Sequence, residues 1–133
     1  MSDWLYNGKP FTEEHIGSNT AFVYQITNTR NNKKYIGKKV LNFIRRTTRK
    51  GKKVKVLKES DWKTYFGSNK KLVEEVKTHG AEDFKREILH LCRTKGSANY
   101  LELKEQILQG ALESDDYYNE WIRVRIHASH TKN

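Results

Sequence analysis

Two tyrosines, Tyr24 and Tyr35, stand on either side of an asparagine-rich turn with ten residues between them. Gly37, Lys38 and Lys39 follow the second one directly. If the flanking runs pair as antiparallel strands about 4.8 Å apart, the two phenols meet on one face. A phenol is a weak acid near pKa 10, and neighbouring ammonium groups favour its phenolate. Two phenols beside two lysines therefore suit the handling of a phosphate. A glycine at the strand end lets a backbone or ligand approach closely. The hairpin alone favours the plainer reading, in which both tyrosines are sheet-packing aromatics.

The elements that must position these groups follow from local pattern. Phe22 to Thr27 is rich in aromatic and β-branched residues and predicts a strand. Asn28 to Asn32 predicts a turn, because asparagine tolerates left-handed backbone angles. Lys33 to Gly37 is the returning strand. Residues 1–20 predict an irregular lead-in packed by Trp4, Leu5, Tyr6 and Phe11. Ser60 could cap a short helix through Tyr65. Ser68 or Asn69 opens a helix to about Thr78, stopped by His79-Gly80. A strand follows over Phe84–Leu91. Gly96-Ser97 is expected to break the chain before a last helix, about Ala98 to Ala111. Its apolar face is read as Tyr100, Leu103, Ile107 and Ala111, with Glu102, Gln106 and Gln109 opposite. Trp121 to Ile126 suggests an extra strand. This is an α+β layer: a small antiparallel sheet of about three strands flanked by helices.

Composition narrows the partners. The chain has 133 residues, a formal charge of +10 and 32% charged residues. Arg45, Arg46, Arg49, Lys50, Lys52, Lys53, Lys55 and Lys58 crowd fourteen positions. Such a cluster repels itself unless a polyanion is the partner, and nucleic acid is the first candidate. The eight side chains are expected to project to solvent and follow a DNA backbone. An anionic membrane surface would call for a basic helix with a broad apolar face, which this stretch lacks. No run approaches the roughly 20 apolar residues of a membrane span, and Met1 to Pro10 has no signal-peptide core. The single Cys92 excludes a disulfide framework and reads as a buried small hydrophobe. A cytoplasmic location is expected. His15, His79, His90, His127 and His130 lack metal-ligand spacing and read as surface or loop residues. There is no Gly-rich phosphate loop.

Phe22-Val23-Tyr24 followed ten residues later by Tyr35-Ile36-Gly37 resembles the paired signature of the GIY-YIG nuclease superfamily. The flanking words Tyr24-Gln25-Ile26-Thr27-Asn28 and Asn31 to Lys38 extend the match. The resemblance runs from about Ala21 to Asn119. It is closest to short phage-encoded members with a basic insert and a Ser-Asp-Trp…Tyr-Phe-Gly-Ser segment, here Ser60 to Trp62 and Tyr65 to Ser68. It implies that Tyr24 binds or deprotonates the attacking water and that Tyr35 positions the scissile phosphate. It implies a phosphate-neutralising arginine at Arg45, with Arg46 adjacent and Lys38 able to share the task. Gly37, Lys38, Lys39, Arg46, Tyr65 and Asn119 are then substrate-binding. Glu102 is the implied single protein ligand of Mg²⁺ or Mn²⁺, with Glu105 as the alternative in helix register.

The expectation is thus a single domain over residues 1–133, with a core about 21–119 and a basic insert about 45–58. It would be a metal-dependent endonuclease acting on double-stranded DNA, free to act as a homodimer there and independent of membranes. A catalytically silent nucleic-acid-binding protein on the same scaffold is the alternative. A nuclease needs the tyrosines, an arginine and the glutamate to converge in one groove.

Overall fold

A computed structural model describes residues 3–122 and 126–133. Strands β1 (Trp4–Tyr6) and β2 (Lys9–Pro10) lead into β3 (Ala21–Asn28) and β4 (Lys33–Val40). A second hairpin follows, β5 (Asn42–Arg49) and β6 (Lys52–Glu59), then helix α1 (Lys70–His79), strand β7 (Phe84–Cys92) and helix α2 (Lys95–Leu108). The main sheet has five strands in the order β2-β1-β7-β3-β4, and β5 and β6 form a separate ribbon. The class is α+β as expected, but the sheet is larger than three strands and not purely antiparallel. β1 runs parallel to β7, with Trp4 opposite Arg86.

The extra strands come from the lead-in, which local pattern reads as irregular. Trp4 and Phe11 are buried with Phe22, Trp62 and Leu72 in the larger core, and the Trp4 indole donates to the Trp62 carbonyl at 2.6 Å. Burial of those aromatics stabilises a pairing that no short-range signal predicts. β3 lies between β4 and β7 and is buried nearly throughout. The β3–β4 register places Tyr24 opposite Gly37 and Ile26 opposite Tyr35.

α1 begins as expected, with the Asn69 side chain accepting from the Leu72 amide at 3.0 Å. α2 differs. It starts at Lys95 under a Thr94 cap, so Gly96 and Ser97 lie inside its first turn. Gly96 has a reason to be there, because a Cβ would stand 2.2 Å from the His130 ring packed over it. The buried face of α2 is also not the expected one. Ser97, Ala98 and Gln106 are buried, whereas Ile107 is 63% exposed. Ala98 packs on Ala21, Val23 and Ile36, Ser97 donates to the Lys132 carbonyl, and Gln106 meets the open edge of β4, whose backbone groups need partners.

That edge is closed by side chains and by the segment after α2. The Asn119 amide accepts from the Ile36 amide at 3.0 Å and donates to the Ile36 carbonyl at 2.8 Å. Gln106 donates to the same carbonyl at 3.1 Å. The Tyr118 amide donates to the Lys34 carbonyl there, and the Lys34 amide donates to the Asp116 carbonyl. The strand expected over Trp121–Ile126 falls across residues 123–125, outside the described residues. Cys92 is buried as expected, and burial pushes its thiol up to about 11. His90 lies within β7, half-buried against Glu105 at 3.1 Å, rather than on a loop. No helix among the described residues is long and apolar enough to cross a membrane.

Candidate active site

Gly37 organises the site. A Cβ built there would lie 2.5 Å from the Tyr24 hydroxyl oxygen, 2.8 Å from Tyr24 Cζ and 3.0 Å from Tyr35 Cε2. The missing side chain therefore lets the Tyr24 phenol lie across the neighbouring strand. The Tyr24 and Tyr35 rings are 6.2 Å apart, and Tyr65 meets Tyr24 edge-on at 5.9 Å. The Tyr24 hydroxyl is buried and faces Tyr65 without a well-formed hydrogen bond among the described residues. Buried polar groups are nearly always paired, so a poorly paired hydroxyl calls for a functional reason. The Tyr35 hydroxyl pairs with Ser68 Oγ at 3.0 Å.

Beside these rings a cleft of about 220 Å³ opens at the β4 edge, lined by Tyr35, Lys38, Ser68, Glu102, Asn119 and Glu120, among others. Glu102 reaches it from the half-buried face of α2, contrary to the expectation that it projects away from the packed side. Asn99, Glu102 and Gln106 sit at i, i+3 and i+7, one stripe of that helix. The stripe is visible in the sequence as polar residues and was passed over because apolar residues usually mark the packed face. Lys38 Nζ donates to Asn99 Oδ1.

Burial raises the Glu102 pKa, while the adjacent Lys38 holds it down. Burial also lifts Tyr24 well above its ordinary 10.0, and nearby Tyr65, Tyr35 and Glu102 push the same way. Tyr35 is raised by burial and partly restored by its bond to Ser68. The expected phenolate character of Tyr24 is therefore reversed: it is a neutral phenol near pH 7. The ammonium groups that should have favoured the anion are engaged elsewhere. Lys39 bonds Asp61 and stands 4.1 Å over the Tyr65 ring, and Lys38 faces Asn99 and Glu102.

The structure thus brings Tyr35, Lys38, Glu102 and Asn119 to the cleft beside the middle of β4, which runs on past the strand end expected at Gly37, and packs Tyr24, Gly37 and Tyr65 behind Tyr35. Lys39 backs Tyr65, and Asn119 is largely occupied in closing the β4 edge. Arg45 and Arg46 are not in the cleft. They are exposed on β5, opposite Val56 and Lys55. Ungapped spacing carries the expected arginine onto the ribbon because the ribbon already begins at Asn42. Among the described residues lining the cleft, the one cation is Lys38. Glu105 is held against His90 rather than in the cleft. Arg86 was not anticipated. Its buried guanidinium donates to the Lys63 and Tyr65 carbonyls at 3.0 and 2.8 Å and so sets the segment bearing Tyr65. Only its position beneath Trp4 and Phe66 reveals that role.

Among the described residues no three His, Cys, Asp or Glu side chains cluster as a ligand cage. A desolvated carboxylate facing a polar cleft instead suits a hard cation held by one carboxylate and several waters. Two phenols, one ammonium and one such carboxylate are thus gathered at one place on an α+β scaffold. The family model for the GIY-YIG domain of putative endonuclease segE matches residues 4–122, and the chain belongs to that family. No curated protein and no solved structure matches the chain.

Gly37→Ala should be severe. The new methyl must displace a ring wedged between strands, which costs about 1–3 kcal/mol. Shifting the phenols by an ångström should lower cleavage by about 10²-fold. Denaturant unfolding and DNA nicking measure the two effects. Wild-type behaviour in both would mean that the Tyr24 phenol need not cross this strand.

Proposed function

We propose that the protein is a divalent-metal-dependent endonuclease that hydrolyses phosphodiesters of double-stranded DNA at the β4-edge cleft. The observation that carries this reading is the buried Tyr24 hydroxyl, poorly paired against Tyr65 and held across Gly37 beside Tyr35 and Glu102. Packing alone gives no reason to keep a hydroxyl there. Tyr24 offers its neutral hydroxyl to orient the attacking water, and Tyr35 hydrogen-bonds a non-bridging phosphate oxygen. Lys38 offsets charge on the phosphate inside the cleft, a task the expected scheme already shared with it. Arg45 and Arg46 meet the duplex from the ribbon. Glu102 holds Mg²⁺ or Mn²⁺, which when bound supplies positive charge for the leaving oxygen. The water oxygen forms the new P–O bond and gives up one proton to solvent, the bond to the leaving oxygen breaks, and that oxygen takes up one proton from solvent. A silent binder would have no use for this convergence.

Supercoiled and linear duplexes incubated with Mg²⁺, Mn²⁺ or EDTA, with the ends mapped, test the reading. Metal-dependent nicks or breaks support it. Tight binding without cleavage in either metal would leave the silent scaffold.

The ribbon sets a second expectation. If about six of its cations reach phosphates, log affinity should fall against log salt with a slope of about −5. Replacing Lys50, Lys52, Lys53 and Lys55 with alanine should flatten that slope. Equal slopes for the two proteins would move the main contact to Lys33, Lys34, Lys38 and Lys39.

A further inference from the structure

The ribbon is more regular than a phosphate clamp requires. β5 and β6 pair over eight positions, from Asn42 opposite Glu59 to Arg49 opposite Lys52. The two-residue turn Lys50-Gly51 has φ of 52° and 75°, the paired positive angles of a tight type I′ hairpin. The ribbon packs chiefly on itself. Residues 42–59 hold eight lysines and arginines against one acid, +7 of the chain's +10. Arg46 directly opposes Lys55, and Arg49 opposes Lys52. Like charges directly opposite destabilise a hairpin. With no core beneath it, such an element is favoured only against a dense anion. The same charge disfavours pairing with the ribbon of a second copy.

Cross-strand partners share a face, and faces alternate along each strand. One face therefore presents Ile44, Arg46 and Thr48 with Leu57, Lys55 and Lys53. Ile44 and Leu57 are 65% and 69% exposed, an apolar pair with no core to join. Ile44 and Leu57 line a groove with Lys95, Lys95 lines the next groove with Lys38 and Asn99, and Lys38 lines the catalytic cleft. Lys95 and Lys38 thus stand between the base of the ribbon and the candidate active site.

We propose that the β5–β6 ribbon enters the DNA major groove and reads base edges with the face bearing Ile44, Arg46, Thr48, Lys53, Lys55 and Leu57. The inference rests on duplex DNA being the substrate. A two-stranded ribbon fits the roughly 12 Å major groove and not the roughly 6 Å minor groove. Eight residues span roughly 27 Å, enough to follow the groove past several base pairs. Arginine and lysine donate to guanine O6 and N7, and apolar side chains meet the thymine methyl. That combination matches this face, and it explains exposed apolar side chains that phosphate contact alone leaves without a role.

The test compares two charge-matched variants, R46A/K55A on the reading face and R49A/K52A on the other. Each removes one directly opposed Arg–Lys pair, so a phosphate clamp predicts equal losses. The readouts are binding and cut-site distribution on a mixed-sequence duplex, and binding to the same duplex with 7-deazaguanine replacing guanine. R46A/K55A should flatten the cut-site distribution and weaken preferred sites by about tenfold or more. 7-Deazaguanine should weaken the wild type and R49A/K52A by a similar factor and leave R46A/K55A nearly unchanged. Equal losses, an unaltered cut pattern in both variants, or indifference of the wild type to 7-deazaguanine would overturn base reading while leaving the nuclease standing. Failure of the wild type to bind any duplex would instead remove the endonuclease reading itself.

Discussion

Glu102→Ala is expected to lower DNA cleavage by more than about 10³-fold while leaving DNA affinity within a few-fold. Glu102 is the carboxylate that faces the cleft beside Lys38 and Tyr35. Removing it removes the anchor for positive charge where negative charge develops in the transition state. Affinity should persist because it comes mainly from lysine and arginine on phosphates, most of them far from the cleft. Nicking of supercoiled DNA in Mg²⁺ and a fluorescence-anisotropy titration separate the two quantities. Undiminished cleavage would remove Glu102 as the metal ligand.

A stability signature accompanies the catalytic one. Burial raises the Glu102 pKa above its ordinary 4.5, so the folded protein holds this proton more firmly than the unfolded chain. Its contribution to stability therefore falls as pH rises through the interval from 4.5 up to the raised value. Metal-free Glu102→Gln should melt above the wild type at pH 7, and the gap should close towards pH 4. Mg²⁺ should raise the Tm of the wild type and not that of the variant, because a ligand stabilises only the state that binds it. A gap that is constant across this pH range would mean that Glu102 is not desolvated.

Tyr24→Phe is the second large effect, a rate loss on the order of 10²-fold or more. The ring stays, and with it the contacts to Trp4, Tyr35 and Tyr65. The hydroxyl lost is buried and meets Tyr65 without a well-formed hydrogen bond, so the Tm should hold or rise, since such a group costs desolvation for little returning bond. Activity and stability should move independently or in opposite directions. Wild-type rates in Tyr24→Phe would return the phenol to a packing role, and a clear fall in Tm would mean that the hydroxyl has a partner in solution.

The amino-acid sequence by itself determined the parts built from near neighbours. The Tyr24/Tyr35 hairpin, the Asn69 cap, the stop at Gly80 and the strand from Phe84 all follow from propensity, turn chemistry and periodicity, which act within a few residues. The chemistry-bearing words around Tyr24, Tyr35, Gly37 and Glu102 were legible because residue type and spacing survive without coordinates.

Tertiary structure decided what those parts face. Trp4 reaches β7 across some eighty residues, and no local signal encodes a pairing at that separation. α2 turns its Asn99–Glu102–Gln106 stripe inward because the β4 edge offers unpaired backbone groups, and their need for partners outweighs the burial of Ile107. Arg45 leaves the cleft because an insert placed by sequence spacing folds as an independent ribbon. Tyr24 is neutral because enclosure and neighbouring phenols outweigh lysines that are adjacent in sequence but engaged with Asp61, Tyr65, Asn99 and Glu102. Each of these depends on distances between groups remote in the chain, and such distances exist only once the chain has folded.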